Sequence, residues 1–157
     1  MKKLIILSIA LTLGLIAPAQ TKTDLKADKA AVKNVIERFL TVIGNYELES
    51  LPQLFCENAN IGGASFRDGE WKTFNMTFTA FLEQLKSREN PVKYNEPVSK
   101  YTIHIDGGRL AFVKADAVLI RNGKPQSNNF DYFTLLKENG EWKILNGSYV
   151  SIPINEK

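Results

Sequence analysis

The sequence predicts an α+β domain, and three observations predict it. Apolar residues recur at helical spacing in the first half of the chain. Apolar and polar residues alternate through most of the second half. Reversal signals, Asp68-Gly69, Asp106-Gly107 and Asn139-Gly140, punctuate the alternating segments. Helices come first and antiparallel strands follow, which is the α+β order. A chain of 157 residues that is 44% hydrophobic suits one domain with a real core and leaves little room for two.

The start of the chain has a different character. Lys2 and Lys3 precede an apolar run from Leu4 to Ile16, and Ala17-Pro18-Ala19 follows. This is the layout of a secretory signal peptide, residues 1–19, cut after Ala19. The apolar run is shorter than the ~20 residues of a spanning helix, so no stable membrane anchor is expected after cleavage. The mature chain is expected to be periplasmic or secreted. A polar leader over 20–30, one domain over 31–153 and a tail over 154–157 complete the division. The formal charge of +3 includes Lys2 and Lys3, and no basic cluster stands on one stretch, so nucleic acid is not an expected partner.

Val32, Val35, Ile36, Phe39, Leu40 and Ile43 mark one face of a first helix, with Gly44-Asn45 as its stop. "ELESLPQLFCENANI" reads as a short second helix, capped by Ser50 with Pro52 in its first turn. Cys56 would lie on that helix as a small buried hydrophobe, having no second cysteine to pair with. "ASFRDGEWKTF" reads as a hairpin. Phe78, Phe81, Leu82 and Leu85 form the stripe of a third helix, capped by Thr77 or Asn75 and ended by Asn90-Pro91. "PVKYNEP" reads as a loop, and "VSKYTIHI" and "RLAFVKADAVLI" as strands. "RNGKPQSNN" reads as a polar loop, and "FDYFTLLKENGEWKILNGSYVS" as a closing hairpin.

This order of elements resembles the nuclear transport factor 2-like superfamily, which also holds ketosteroid isomerase, scytalone dehydratase and the SnoaL-like cyclases. The closest similarity is to its bacterial "lumazine-binding" branch, through Asp131, Tyr132, Gly140, Trp142, Ile144 and Asn146. "AVKNVIERFL" and "LESLPQLFCENANI" resemble the opening helices of that branch. The resemblance spans nearly the whole mature chain. It implies a cone-shaped, curved antiparallel sheet packed against three helices of the N-terminal half. It further implies a pocket at the open end of the cone and often a dimer through the sheet. The fold hosts many unrelated activities, so the resemblance names no reaction.

Turning the last hairpin at Asn139-Gly140 opposes Leu135 to Ile144, Phe133 to Asn146 and Asp131 to Ser148. Asp131, Phe133, Leu135, Trp142, Ile144, Asn146 and Ser148 then share the concave face. Phe130, Tyr132, Thr134, Leu136, Lys143, Leu145 and Tyr149 share the other. A one-residue slip reverses every assignment. The second face is apolar enough to suggest a homodimer through the sheet; the alternative is that its tyrosines and leucines remain exposed.

Asp131, Phe133, Trp142, Asn146 and Ser148 are the candidate ligand-binding residues. Asp131 is also the candidate catalytic residue, since a carboxylate in an apolar cone has a raised pKa and can take a proton from carbon. Alternatively, Asn146 and Ser148 satisfy Asp131 and the group is structural. His104, the one histidine, shares parity with Lys100, Thr102 and Asp106 and reads as solvent-facing. Lys114 and Asp116 read as a solvated strand face or, alternatively, as a charged pocket pair. Phe66, Trp71, Phe74, Phe78 and Phe81 read mainly as core, with one or two of them available to line the mouth of a pocket for a flat ligand. One His and one Cys are too few for the usual zinc site, and no phosphate-binding loop or dinucleotide glycine pattern occurs, so no metal and no cofactor are expected. The expected role is a binder of a small, partly apolar ligand. The alternatives are an isomerase or cyclase with Asp131 as base, and a non-catalytic dimeric interaction module.

Overall fold

The computed structural model describes residues 22–154. The expected signal peptide lies outside the described residues. Helix α1 (Lys22–Asn45) is followed by two 3-10 turns, Leu48–Ser50 and Pro52–Leu54. Then come β1 (Phe55–Arg67), β2 (Glu70–Thr77), α2 (Phe78–Lys86), β3 (Val98–Asp106), β4 (Leu110–Arg121), β5 (Lys124–Glu138) and β6 (Glu141–Pro153). The six strands form one curved sheet in the order β2-β1-β6-β5-β4-β3. All neighbours are antiparallel except β1 and β6, which run parallel.

The helical stripe of α1 is the centre of the core. Val32 and Ile36 are fully buried, and Phe39, Leu40 and Ile43 continue the stripe against the inner face of the sheet. Phe39 meets Phe55 and Phe133 edge-on, with ring centroids 5.5 and 5.6 Å apart. The start of α2 is capped as expected: Thr77 Oγ1 accepts from the Ala80 amide at 3.2 Å. Three hairpins turn on Asp68-Gly69, Asn122-Gly123 and Asn139-Gly140, each with both residues at positive φ, the requirement of the tight turns that match strand twist.

Four sequence expectations change in detail. The leader over 20–30 is helix from Lys22 on, and its Asp28 is buried. The second helix is two 3-10 turns, because the chain enters β1 at Phe55, directly after Leu54. Cys56 therefore lies on a strand, buried, with its thiol donating to the Lys143 carbonyl at 3.8 Å. Most of "RNGKPQSNN" is strand, since β5 starts at Lys124.

One close contact fixes the wall of the future site. Gly44, in the last turn of α1, lies so near the segment after α2 that a Cβ there would stand 2.5 Å from the Tyr94 carbonyl oxygen. The Tyr94 amide donates to the Gly44 carbonyl at 3.0 Å. Only glycine allows the two backbones this approach.

Candidate functional site

The inner face near the C-terminal ends of β1, β4 and β6 encloses a cavity of about 160 Å³. Its apolar wall includes Phe39, Ile43, Ile61, Phe81 and Phe133, and its polar groups include Tyr94, Glu96, Asn129, Asp131 and Tyr149.

A bulge decides which side chains reach it. Lys137 pairs with Trp142 and Leu135 with Ile144, as the regular hairpin predicts. The register then shifts: Thr134 pairs with Asn146, and Leu145 has no partner on β5. Beyond that point Phe133 faces Gly147, Asp131 faces Tyr149 and Asn129 faces Ser151. The expected inward positions of Asn146 and Ser148 are therefore overturned. Asn146 is exposed, opposite Thr134 on the outer face. Ser148 is also exposed, opposite Tyr132; it borders the cavity and also a shallow outer depression shared with Asn146. Tyr149, assigned by alternation to the outer face, lines the cavity instead. Gly147 takes an inward position without a side chain and so leaves space beside Ile61 and Phe133.

Trp142 is also displaced from the predicted site. It is buried in the core, and its Nε1 donates to Asp28 Oδ1 at 3.0 Å. Lys137 Nζ stands 2.6 Å from the same oxygen. Phe133 and Asp131 do line the cavity. His104 is exposed on the outer face, and Lys114 pairs with Asp116 at 2.5 Å, which agrees with the solvated reading of that strand.

Asp131 is 5% exposed, and its Oδ2 has no hydrogen-bond partner among the described residues. Burial, and then the nearby Glu96 carboxylate, push its pKa up to about 8. Glu96 is likewise raised by burial, partly offset by a hydrogen bond from Asn129. The Asn129 amide donates to Glu96 Oε1, and its Oδ1 accepts from Ser127 Oγ at 2.9 Å. Thus Glu96 is held by a relay of two buried side chains, whereas Asp131, on the cavity wall, keeps a buried oxygen without a hydrogen-bond partner among the described residues. Burial also raises the Tyr94 and Tyr149 hydroxyls, which keeps them protonated and able to donate. The arrangement offers a neutral acid that can donate or accept one hydrogen bond beside the apolar wall of the cavity. When ionised, the same group is a base.

Several of these residues escaped the sequence reading. Ser127 and Asn129 share the parity of Asp131, so extending the alternation two steps back from Asp131 finds them. Glu96 and Tyr94 arrive from the segment after α2, and no local pattern marks them.

The comparisons with known proteins agree with this architecture. Residues 27–150 match the family described as "Putative lumazine-binding". No curated protein matches the chain. Among solved structures, the chain is similar to a protein of unknown function from Mycobacterium tuberculosis, with TM-score 0.67, 16% identity and coverage of 85% of this chain and 78% of that one. It is also similar to an NTF2-like protein with a cystatin-like fold from Novosphingobium aromaticivorans, with TM-score 0.65, 13% identity and coverage of 87% and 88%. An NTF2-like protein of unknown function from Pseudomonas putida KT2440 gives TM-score 0.65, 10% identity and coverage of 84% and 98%. At such identities these likenesses speak for the fold alone. With the family match over most of its length, this chain belongs to the lumazine-binding-like family within the nuclear transport factor 2-like superfamily.

Proposed function

We propose that this protein is an exported binder of a small, partly apolar ligand held in the cavity at the open end of the sheet. The observation that carries the reading is Asp131: a buried carboxyl group with an oxygen that has no partner among the described residues, on the wall of a chamber of mixed apolar and polar lining. Leaving such an oxygen unsatisfied costs about 1–3 kcal/mol, and a ligand hydroxyl or carbonyl would remove that cost. Export is supported by the basic-apolar-small layout of residues 1–19. Native mass spectrometry of protein taken from its source compartment tests the reading. A retained small-molecule adduct, lost in Asp131→Ala, is the expected result. A wild-type protein free of any adduct and unaffected in melting temperature by a panel of single-ring compounds overturns it.

A second reading, an isomerase or cyclase, is favoured by the pKa of Asp131 near 8, which suits a base working close to neutrality. Once a substrate is in hand, Asp131→Asn separates the two. Lost turnover with retained affinity supports proton abstraction, and unchanged turnover rules it out. A homodimer through the outer sheet face fits either reading, since Phe112 and Tyr132 lie there 47% and 45% exposed. A monomer mass by light scattering at micromolar concentration removes the dimer.

A further inference from the structure

Resting on the reading of the cavity as a ligand site, we propose that its ligand is a single-ring organic anion. The oxyanion group lies at the mouth among Arg67, Arg88 and Arg121, and a hydroxyl or carbonyl lies on Asp131.

The topology gathers the three arginines. Strand β6 runs parallel to β1 and antiparallel to β5, which is antiparallel to β4. The C-terminal ends of β1, β4 and β6 therefore meet at one end of the sheet. Arg67 is the last residue of β1 and Arg121 the last of β4, and Arg88 follows α2 by one residue after Ser87. All three line the cavity.

Their charges are not used elsewhere in the fold. The six ion pairs among the described residues all employ a lysine, and none employs these arginines. Arg88 Nη1 donates to the Tyr46 hydroxyl at 3.1 Å, and the Arg121 guanidinium lies 5.8 Å from the centre of the Tyr94 ring. These contacts orient the guanidinium groups without neutralising them. Among the described residues the carboxyl groups lining the cavity are Glu96 and Asp131, and burial raises the pKa of both. Three guanidinium groups against two carboxyl groups leave the lining net cationic, with the positive charge at the mouth. Guanidinium suits a planar oxyanion, which it can hold through two parallel hydrogen bonds.

Size sets the rest of the ligand. A cavity of about 160 Å³ is comparable to an engineered apolar cavity of roughly 150 Å³ that accepts benzene. Phe39, Phe81 and Phe133 supply ring-shaped contact surface. One ring fits inside and its charged substituent reaches the rim.

Calorimetric titration of the full mature chain with three probes tests this: 4-hydroxybenzoate, its neutral isostere 4-hydroxybenzamide, and benzoate. The expected result is that the hydroxy acid binds about tenfold or more tightly than the amide, the gain typical of one charge-assisted contact. Benzoate, which lacks the group facing Asp131, binds more weakly than the hydroxy acid. Arg67→Gln, Arg88→Gln and Arg121→Gln, all at exposed positions, weaken the acid and leave the amide unchanged. Added salt does the same. Equal or tighter binding of the amide, or arginine variants that treat both probes alike, overturns the anion inference and leaves the cavity as a site for neutral ligands. Failure of all three probes to bind overturns the inference together with the ligand-site reading beneath it.

Discussion

Asp28 and Asp131 are about equally deep in the fold, at 7% and 5% exposed, yet their surroundings differ in kind. Asp28, near the start of α1, receives both the Lys137 ammonium and the Trp142 indole N–H. An ammonium and an N–H donor thus meet the same carboxyl oxygen. Asp131, on β5, has the Glu96 carboxyl nearby, which disfavours its negative charge, and an oxygen without a partner among the described residues. The first acid ties a helix to the last hairpin. The second weakens the fold where it stands, a cost that the proposed ligand would offset. Burial alone does not set the two acids apart; an unmet partner does.

This contrast can be broken most severely at Asp28. Asp28→Ala leaves a partly buried ammonium and a buried indole N–H without their acceptor. It should lower stability by roughly 3 kcal/mol, read from urea denaturation. A loss under about 1 kcal/mol would mean that the two acids are alike after all.

Asp131→Asn should act in the opposite direction and only in one pH window. Folded Asp131 keeps its proton up to about 8, whereas the ordinary value is 3.8. The native state therefore binds more protons between those values, and stability falls as pH rises through the window. Asp131→Asn should melt with the wild type near pH 4 and above it, by a few kcal/mol or less, near pH 8. Parallel pH profiles for the two proteins would show that Asp131 is not held neutral.

Gly147→Ala sharpens the comparison at a smaller scale. The added methyl would stand 3.0 Å from Ile61 Cδ1, the end of a flexible side chain, so the cost should be about 1 kcal/mol in thermal unfolding. Binding of any cavity ligand should suffer more than stability does. The smallest effect concerns Cys56. Burial, with the neighbouring Glu138, pushes its thiol up to about 11, so alkylation of the native protein by iodoacetamide at pH 8 should be slow and should become fast on unfolding.

The sequence announced the architecture because the signals for it are local. The α1 stripe, the Thr77 cap and the Asn139-Gly140 turn all stand where the pattern put them. Asp131 and Phe133 were legible for the same reason: the extra residue of the bulge is on β6, so the alternation of β5 from Leu135 back to Asp131 is unbroken. Asn146, Ser148 and Tyr149 were misassigned because a single unpaired residue, Leu145, shifts the parity of everything after it on β6. A bulge leaves no reliable trace in alternation, since Leu145 is apolar and fits either face. Trp142 looked like a pocket residue because its partner, Asp28, is 114 positions away. The same distance effect hid Glu96 and the arginines, which only the folded topology assembles.

The Gly44–Tyr94 crossing has a kinetic consequence. The main chain beside the entrance is tied down twice over, by Tyr94 to Gly44 and by the reciprocal bonds of Asn95 with Ile120 at 3.0 and 2.8 Å. That stretch of backbone cannot swing aside as a flap. Passage inward must then depend on rotation of the guanidinium and phenol side chains, a matter of nanoseconds rather than the micro- to milliseconds of loop opening. For the proposed ligand, differences in affinity between variants would then lie mainly in residence time.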